Sequence, residues 1–165
     1  MAKAVSGALK LPHVRLLTLH ASGGTAVMQA AREAAGERKD RPKLLAVTVL
    51  TSFNEATLRE IGMSGPIENR AVALARLAKK AGMDGAVCSA HEARAVRRAC
   101  GPKFIILIPG VRPSRGAAND QSRIATPAEA VRAGADYLVV GRPITAAPHP
   151  KSAVLDIVAE MKSAL

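Results

Sequence analysis

Short apolar runs alternate along this chain with longer stretches in which apolar residues recur every three or four positions. The first period fits buried strands, the second amphipathic helices. Residues 2–11 read as a helix that ends before Pro12. Residues 14–20 (VRLLTLH) read as a strand, and the Ala21-Ser22-Gly23-Gly24 stretch as a tight turn. A helix is expected over 25–35, a polar connector over 37–43, and a second strand over 44–50 (LLAVTVL). Asn54 is placed to cap a short helix. A longer helix over 67–81 is closed by Gly82. A third strand follows at 85–89 and a helix at 90–99. The fourth strand is 103–108 (KFIILI), and 109–123 is the longest stretch without any period. Thr126 caps a helix over 127–133 with Pro127 at its first position. The fifth strand is 136–140 (DYLVV), and a last helix occupies 151–164.

Five strands, apolar nearly throughout and separated by helices, predict an α/β fold whose parallel sheet is built from right-handed βαβ units. Doubly wound sheets and (β/α)8 barrels share that alternation. Polar residues suited to ligand chemistry follow successive strands, and the last strand runs into a Gly-Arg turn, which favours the barrel. A complete barrel takes eight strands and roughly 250 residues. A single domain spanning 1–165, a partial TIM barrel of five strands with a leading helix, is the expected architecture.

Composition narrows the chemistry. The chain is 48% hydrophobic but only 2% aromatic, so Ala, Val, Leu and Ile must fill the core. No apolar run approaches the roughly 20 residues of a membrane-spanning helix, and residues 1–14 carry no secretory core. The expectation is a cytoplasmic protein with no membrane partner. Cys88 and Cys100 share no metal-ligand spacing with the four histidines, so they read as reduced, buried thiols. The net charge of +11 comes from basic residues scattered over the polar faces of helices, as in Arg70, Arg76, Lys79 and Lys80. No aromatic residues interleave with them for base stacking, so nucleic acid is not expected as a partner. A phosphorylated small molecule suits this charge.

In a barrel the site lies at the C-terminal ends of the strands. Those positions here hold His20, Thr51, Ser52, Ser89, His91, the 109–123 loop, Gly141 and Arg142. In VVGRP, Gly141 lets backbone amides approach a phosphate and Arg142 adds a forked cationic donor. The loop IPGVRPSRGAANDQSR offers Arg112, Arg115, Arg123 and the amide of Gln121. Together the two motifs make a phosphate clamp at the ends of adjacent strands. His20 reads as a hydrogen-bonded structural residue rather than a base, and His91-Glu92 as the opening of a helix rather than an acid–base pair. Ser22 and Ser89 have no His/Asp constellation, and HASGG lacks the glycine spacing of a dinucleotide site.

These same segments resemble the bacterial orotidine 5′-phosphate decarboxylases. The likeness runs through HASGG (20–24), LLAVTVLTS (44–52), IPGVRP (108–113), NDQSRIATP (119–127) and AGADYLVVGRPIT (133–145), and covers essentially the whole chain. The resemblance implies a (β/α)8 barrel, a homodimeric assembly, and conversion of orotidine 5′-monophosphate to UMP without cofactor or metal. It implies that Thr51 faces the pyrimidine or ribose. Arg112, Gln121, Gly141 and Arg142 would hold the phosphate and the neighbouring pyrimidine carbonyl. The family's catalytic centre is a Lys among Asp residues in D-x-K-x-x-D-I-P-N-T-V, at the end of its third strand. That motif is absent from this sequence, which begins at a segment matching the helix after it. The five strands therefore correspond to the family's strands 4–8. No other Lys is flanked by carboxylates in that arrangement, so no catalytic residue is assigned. The expectation is a chain inactive alone, able to hold a nucleotide and inclined to oligomerise. The alternative is a non-catalytic ligand-binding or assembly-forming half-barrel.

Overall fold

A computed structural model describes residues 1–38, 40–113 and 123–165. The elements run α1 (Ala2–Ala8), β1 (Leu16–His20), a 3-10 turn (Ala21–Gly23), α2 (Gly24–Ala35), β2 (Lys43–Val47), α3 (Glu55–Glu60), α4 (Ile67–Lys80), β3 (Gly85–Val87) and α5 (Ala90–Cys100). They continue with β4 (Ile105–Ile108), α6 (Pro127–Arg132), β5 (Tyr137–Leu138), α7 (Arg142–Thr145) and α8 (Pro150–Lys162). All five strands form one parallel sheet in the order β1-β2-β3-β4-β5.

That order decides between the two folds. Right-handed crossovers between strands laid down consecutively put every helix on the same face. A doubly wound sheet reverses its strand order and carries helices on both faces. Here Leu17, Leu19, Leu44, Ala46, Ala86, Ile106 and Ile108 pack with Met28, Ala31, Ala75, Ala78, Val96 and Ala130 of the helices. Among the described residues the alternate strand residues, Leu16, Leu45, Val47, Val87, Ile105 and Leu107, form a separate cluster with one another. A sheet with one helical face and one face packed on itself is the wall of a barrel.

The helices form where their small apolar residues align. Ala71, Ala75 and Ala78 of α4 are buried while Arg70, Arg76, Lys79 and Lys80 are exposed. The basic residues are thus the wet faces of helices, as the pattern predicts. Asn54 accepts from the Thr57 amide at the start of α3. Ser89 with Glu92, and Thr126 with Glu129, close reciprocal capping boxes on α5 and α6. The strands are shorter than the apolar runs. Ser89, read as strand, is the cap of α5, and Val139 and Val140 lie beyond β5. The short helix α7 was not expected, because Pro143 inside GRPIT reads as a turn.

The sheet's N-terminal rim carries a repeat that alternation alone does not reveal. Ala81-Gly82-Met83-Asp84 and Ala133-Gly134-Ala135-Asp136 follow α4 and α6 in the same way. Each glycine has positive φ (82° and 98°), ending its helix, and each Asp then reaches the preceding strand. The Asp84 amide donates to Leu44 O (2.9 Å) and the Leu44 amide to Asp84 Oδ2 (2.8 Å); Asp136 makes the same exchange with Ile106 (2.8 and 2.7 Å). An arginine completes each, Arg41 on Asp84 (2.6 Å) and Arg97 on Asp136 (2.7 Å).

Burial pushes the Asp84 carboxyl up, but the Arg41 and Leu44 hydrogen bonds and the charges of Arg41 and Lys43 outweigh it, leaving the group below its ordinary 3.8. A depressed folded value means stabilisation present above the unfolded value and lost as pH falls through the folded one, so the window lies below about pH 4. Asp84→Ala is expected to cost about 2 kcal/mol at neutral pH. It should also flatten the acid limb of thermal stability. Melting curves of the variant that follow the parent's from neutral to acid pH would refute this.

Candidate nucleotide site

Because every strand is parallel, the segments leaving β1 to β5 all open onto one rim. His20 closes β1, residues 48–52 follow β2, Ser89–Glu92 follow β3, 109–113 follow β4, and 139–142 follow β5. The rim is stitched beyond the strand ends. Thr48 donates through its amide and its hydroxyl to Val87 O (3.0 and 2.8 Å), the Cys88 amide to Leu107 O (3.2 Å), and the Val139 amide to Ile108 O (2.9 Å).

On this rim Thr51 is buried, 8% exposed, and Arg112 is 7% exposed. The Arg112 amide donates to Ala125 O (2.9 Å), within a parallel bridge between Val111 and Ala125. Its guanidinium donates from Nη1 to Val111 O (3.0 Å), while its Nε is enclosed without an acceptor among the described residues. A buried cation with an unmet donor is costly, and such groups gather where a ligand completes them. Gly141 and Arg142 are exposed at the start of α7, on the strand next to Arg112's. A Cβ built on Gly141 would meet nothing within 4 Å. The Ile144 and Thr145 amides both donate to Gly141 O (2.8 and 3.0 Å). The fold thus brings Thr51, Arg112, Gly141 and Arg142 to one rim. Gln121 and Arg115 lie outside the described residues.

Arg123 is engaged through both terminal nitrogens, although its Nε, like that of Arg112, meets no acceptor among the described residues. Its Nη1 pairs with Glu92 Oε1 and its Nη2 donates to Leu50 O (2.8 Å). Glu92 is only 2% exposed, and its other oxygen accepts from the Ser89 amide (2.9 Å). Burial pushes the Glu92 carboxyl up, and the charge of Arg123 and the Ser89 hydrogen bond pull it only part of the way back. Sequence reasoning assigned Glu92 to the helix start and saw no link to Arg123. The Ser-x-x-Glu spacing signals the cap, but nothing local signals a partner 31 residues away.

The other candidates resolve simply. His20 is exposed on the open edge of β1, beside a groove of about 710 Å³ lined by Met1, Val5, Leu17, Leu19 and Val27 among others, rather than tied into the core. His91 is exposed at the start of α5. Both cysteines are free and buried, and burial pushes the Cys88 thiol up to about 12, so it is inert. Among the described residues no group of His, Cys, Asp and Glu could hold a metal ion, and no helix is long and apolar enough to cross a membrane.

Comparison with known proteins gives this geometry its family. The model of the orotidine 5′-phosphate decarboxylase / HUMPS family matches residues 1–157. The chain is 53% identical over 146 residues to the orotidine 5′-phosphate decarboxylase of Alkalilimnicola ehrlichii, covering 88% of this chain and 62% of that protein. It is 54% identical over 151 residues to that of Geotalea daltonii, covering 90% and 63%. The chain therefore spans under two thirds of the length of these curated relatives. The crystal structure of orotidine 5′-phosphate decarboxylase from Lactobacillus acidophilus superposes with a TM-score of 0.81 at 34% identity, over 97% of this chain and 68% of that one. A Sulfolobus solfataricus orotidine 5′-monophosphate decarboxylase, 19% identical with a TM-score of 0.68 over 99% of this chain and 70% of that one, shares the fold. With a family model matched over nearly its whole length, and a five-stranded barrel wall to match, the chain belongs to the orotidine 5′-phosphate decarboxylase / HUMPS family.

Proposed function

We propose that this chain is the nucleotide-holding part of an orotidine 5′-phosphate decarboxylase, able to bind UMP and orotidine 5′-monophosphate but not to decarboxylate by itself. Arg112, Gln121, Gly141 and Arg142 hold the phosphate end and the adjacent pyrimidine carbonyl, and Thr51 faces the pyrimidine or ribose. The observation that carries the reading is the buried Arg112, its Nε lacking an acceptor among the described residues, one strand away from the Gly141-Arg142 turn. Two cationic forks at the ends of neighbouring strands suit a phosphate and the polar edge of a base.

Decarboxylation needs a proton donor and a charge array aimed at the departing carboxylate. This sequence has no Lys set among carboxylates as D-x-K-x-x-D, and no described side chains on the rim replace it. Turnover in our reading requires a further segment carrying that motif. Binding needs no cofactor, and the setting is cytoplasmic.

A second reading, an assembly-forming half-barrel, is favoured by the sheet edges. β1 and β5 each pair on one side only among the described residues, and Tyr137, Val139, Leu155 and Val158 are exposed near the β5 end. Unpaired edges with apolar flanks invite pairing with another copy. One set of measurements on the purified chain tests both readings. Calorimetric titration is expected to show UMP binding, and an absorbance assay no loss of orotidine 5′-monophosphate. Light scattering is expected to give a mass above the 17.1 kDa of one chain. Absence of UMP binding sinks the clamp, turnover at a full-length enzyme's rate sinks the inactivity, and a monomer at micromolar concentration sinks the assembly.

A further inference from the structure

Three loops of the rim meet at one side chain that none of the assigned ligand contacts uses. Arg123 sits 12% exposed against Glu92, which is 3% exposed, both measured on side chains. Its Nη2 donates to Leu50 O, the carbonyl just before Thr51. Two residues further on, Ala125 O accepts from the Arg112 amide and pairs Val111 with the returning chain. Glu92 is itself locked, because its second oxygen accepts from the Ser89 amide at the cap of α5.

We infer that the Glu92–Arg123 pair is a positioning device for the nucleotide site, setting Thr51 and Arg112 in register with each other. The inference rests on the nucleotide reading above and adds residues to it. The physical case is one of connection and cost. Thr51 leaves β2 and Arg112 leaves β4, and β3 separates the two strands. The ladder pairs of β2 and β4 end at Val47 and Ile108, before Thr51 and Arg112 are reached. Arg123 joins both of those segments through one side chain and a two-residue stretch of backbone. A guanidinium is suited to this, being a planar fork that can meet a carboxylate and a carbonyl together. Burying the pair carries a desolvation cost that a well-packed apolar pair would avoid. Burial alone drives the Glu92 carboxyl towards its neutral form, with Arg123, Ser89 N–H and the charge of His91 opposing it and Glu68 adding to it. Such a pair is a poor choice for stability alone and a good one for holding groups in a fixed relation.

Arg123→Lys separates positioning from simple stability. Lysine keeps a positive charge beside Glu92 but, as a compact point charge, does not reproduce the fork that spans Glu92 and Leu50 O. Glu92→Gln is the second variant, since it keeps an acceptor for the Ser89 amide and removes the charge. Each variant and the parent, as full 165-residue chains, are titrated with UMP by calorimetry and melted by circular dichroism. Both variants are expected to weaken UMP binding roughly tenfold, about one strong hydrogen bond's worth. Arg123→Lys, which keeps the charge beside Glu92, should melt within a few degrees of the parent, whereas Glu92→Gln, which leaves Arg123 without its carboxylate, should melt lower. Should either variant fail to fold, the other carries the comparison. UMP affinity equal to the parent's in the folded variants overturns the inference while the nucleotide reading stands. Affinity that falls only in step with the melting temperature overturns it as well, since that is what a merely structural pair would give. A parent that binds no UMP removes the nucleotide reading, and with it the site to be positioned.

Discussion

Replacing Gly85 by alanine is expected to leave little folded protein. Gly85 opens β3, paired between Leu45 of β2 and Ile105 of β4, and faces the inner side of the sheet. A Cβ there would lie 2.3 Å from Ile105 O, 2.6 Å from Ile105 Cβ and 2.8 Å from Leu45 Cδ2. The nearest of these is backbone, so relief requires the β3–β4 ladder itself to shift rather than a side chain to swing aside. Overpacking in a tight core costs about 1–3 kcal/mol when side chains can adjust, and a clash with ladder backbone belongs at or above the top of that range. Against a total stability on the order of 5–15 kcal/mol, and with both sheet edges unpaired among the described residues, this is expected to push much of the chain into aggregates. Gly101→Ala is a useful contrast. It meets no atom within 4 Å and suffers only the strain of its positive φ, 90°. Soluble Gly85→Ala with a melting temperature like the parent's would show that the inner face is looser than described.

The second large effect concerns binding. Arg112→Ala is expected to weaken UMP affinity by roughly 30- to 100-fold, the loss of a charge-assisted contact of about 2–3 kcal/mol. The same substitution should leave the melting temperature unchanged or slightly raised. Its amide remains bonded to Ala125 O, because that contact is backbone. Among the described residues the side chain donates to the carbonyl of its own neighbour, and its Nε meets no acceptor. Removing an incompletely satisfied buried cation can be neutral or stabilising. Loss of affinity with retained stability is what a ligand-dedicated residue gives. A large drop in melting temperature with UMP affinity intact in the remaining folded protein would make Arg112 a structural residue.

The order of strands and helices was legible from the sequence, and so were most helix ends. Apolar periodicity, Asn54, Gly82, Thr126 and Pro127 are local signals that act through bonds to nearby backbone. The two capping boxes were equally local, and Ser-x-x-Glu and Thr-x-x-Glu announce them. The strand ends were overrun because apolar character continues past the last ladder bond. Val49 is buried beyond β2, packed with Leu58 and Ala71, and only the tertiary packing distinguishes that from strand. That Thr51, Arg112, Gly141 and Arg142 each follow a strand was legible in the motifs. That these three separate turns share one rim follows from parallel pairing.

The sequence by itself therefore determined the alternating elements, the family likeness and the polar residues that follow each strand. Each is a local property of the chain or a comparison of strings. Only the tertiary structure decided that the strands run in the order 1 to 5 with helices on a single face, that Gly85 is pinned between two strands, and that Asp84 and Asp136 do the same work at two places. It also decided that Glu92, which reads as a helix cap, is the buried partner of Arg123. These facts join residues tens of positions apart, and nothing in a short window carries information about a contact made across three strands. The nearer the interaction along the chain, the more of it the sequence spells out; the site's alignment depends on the most distant ones.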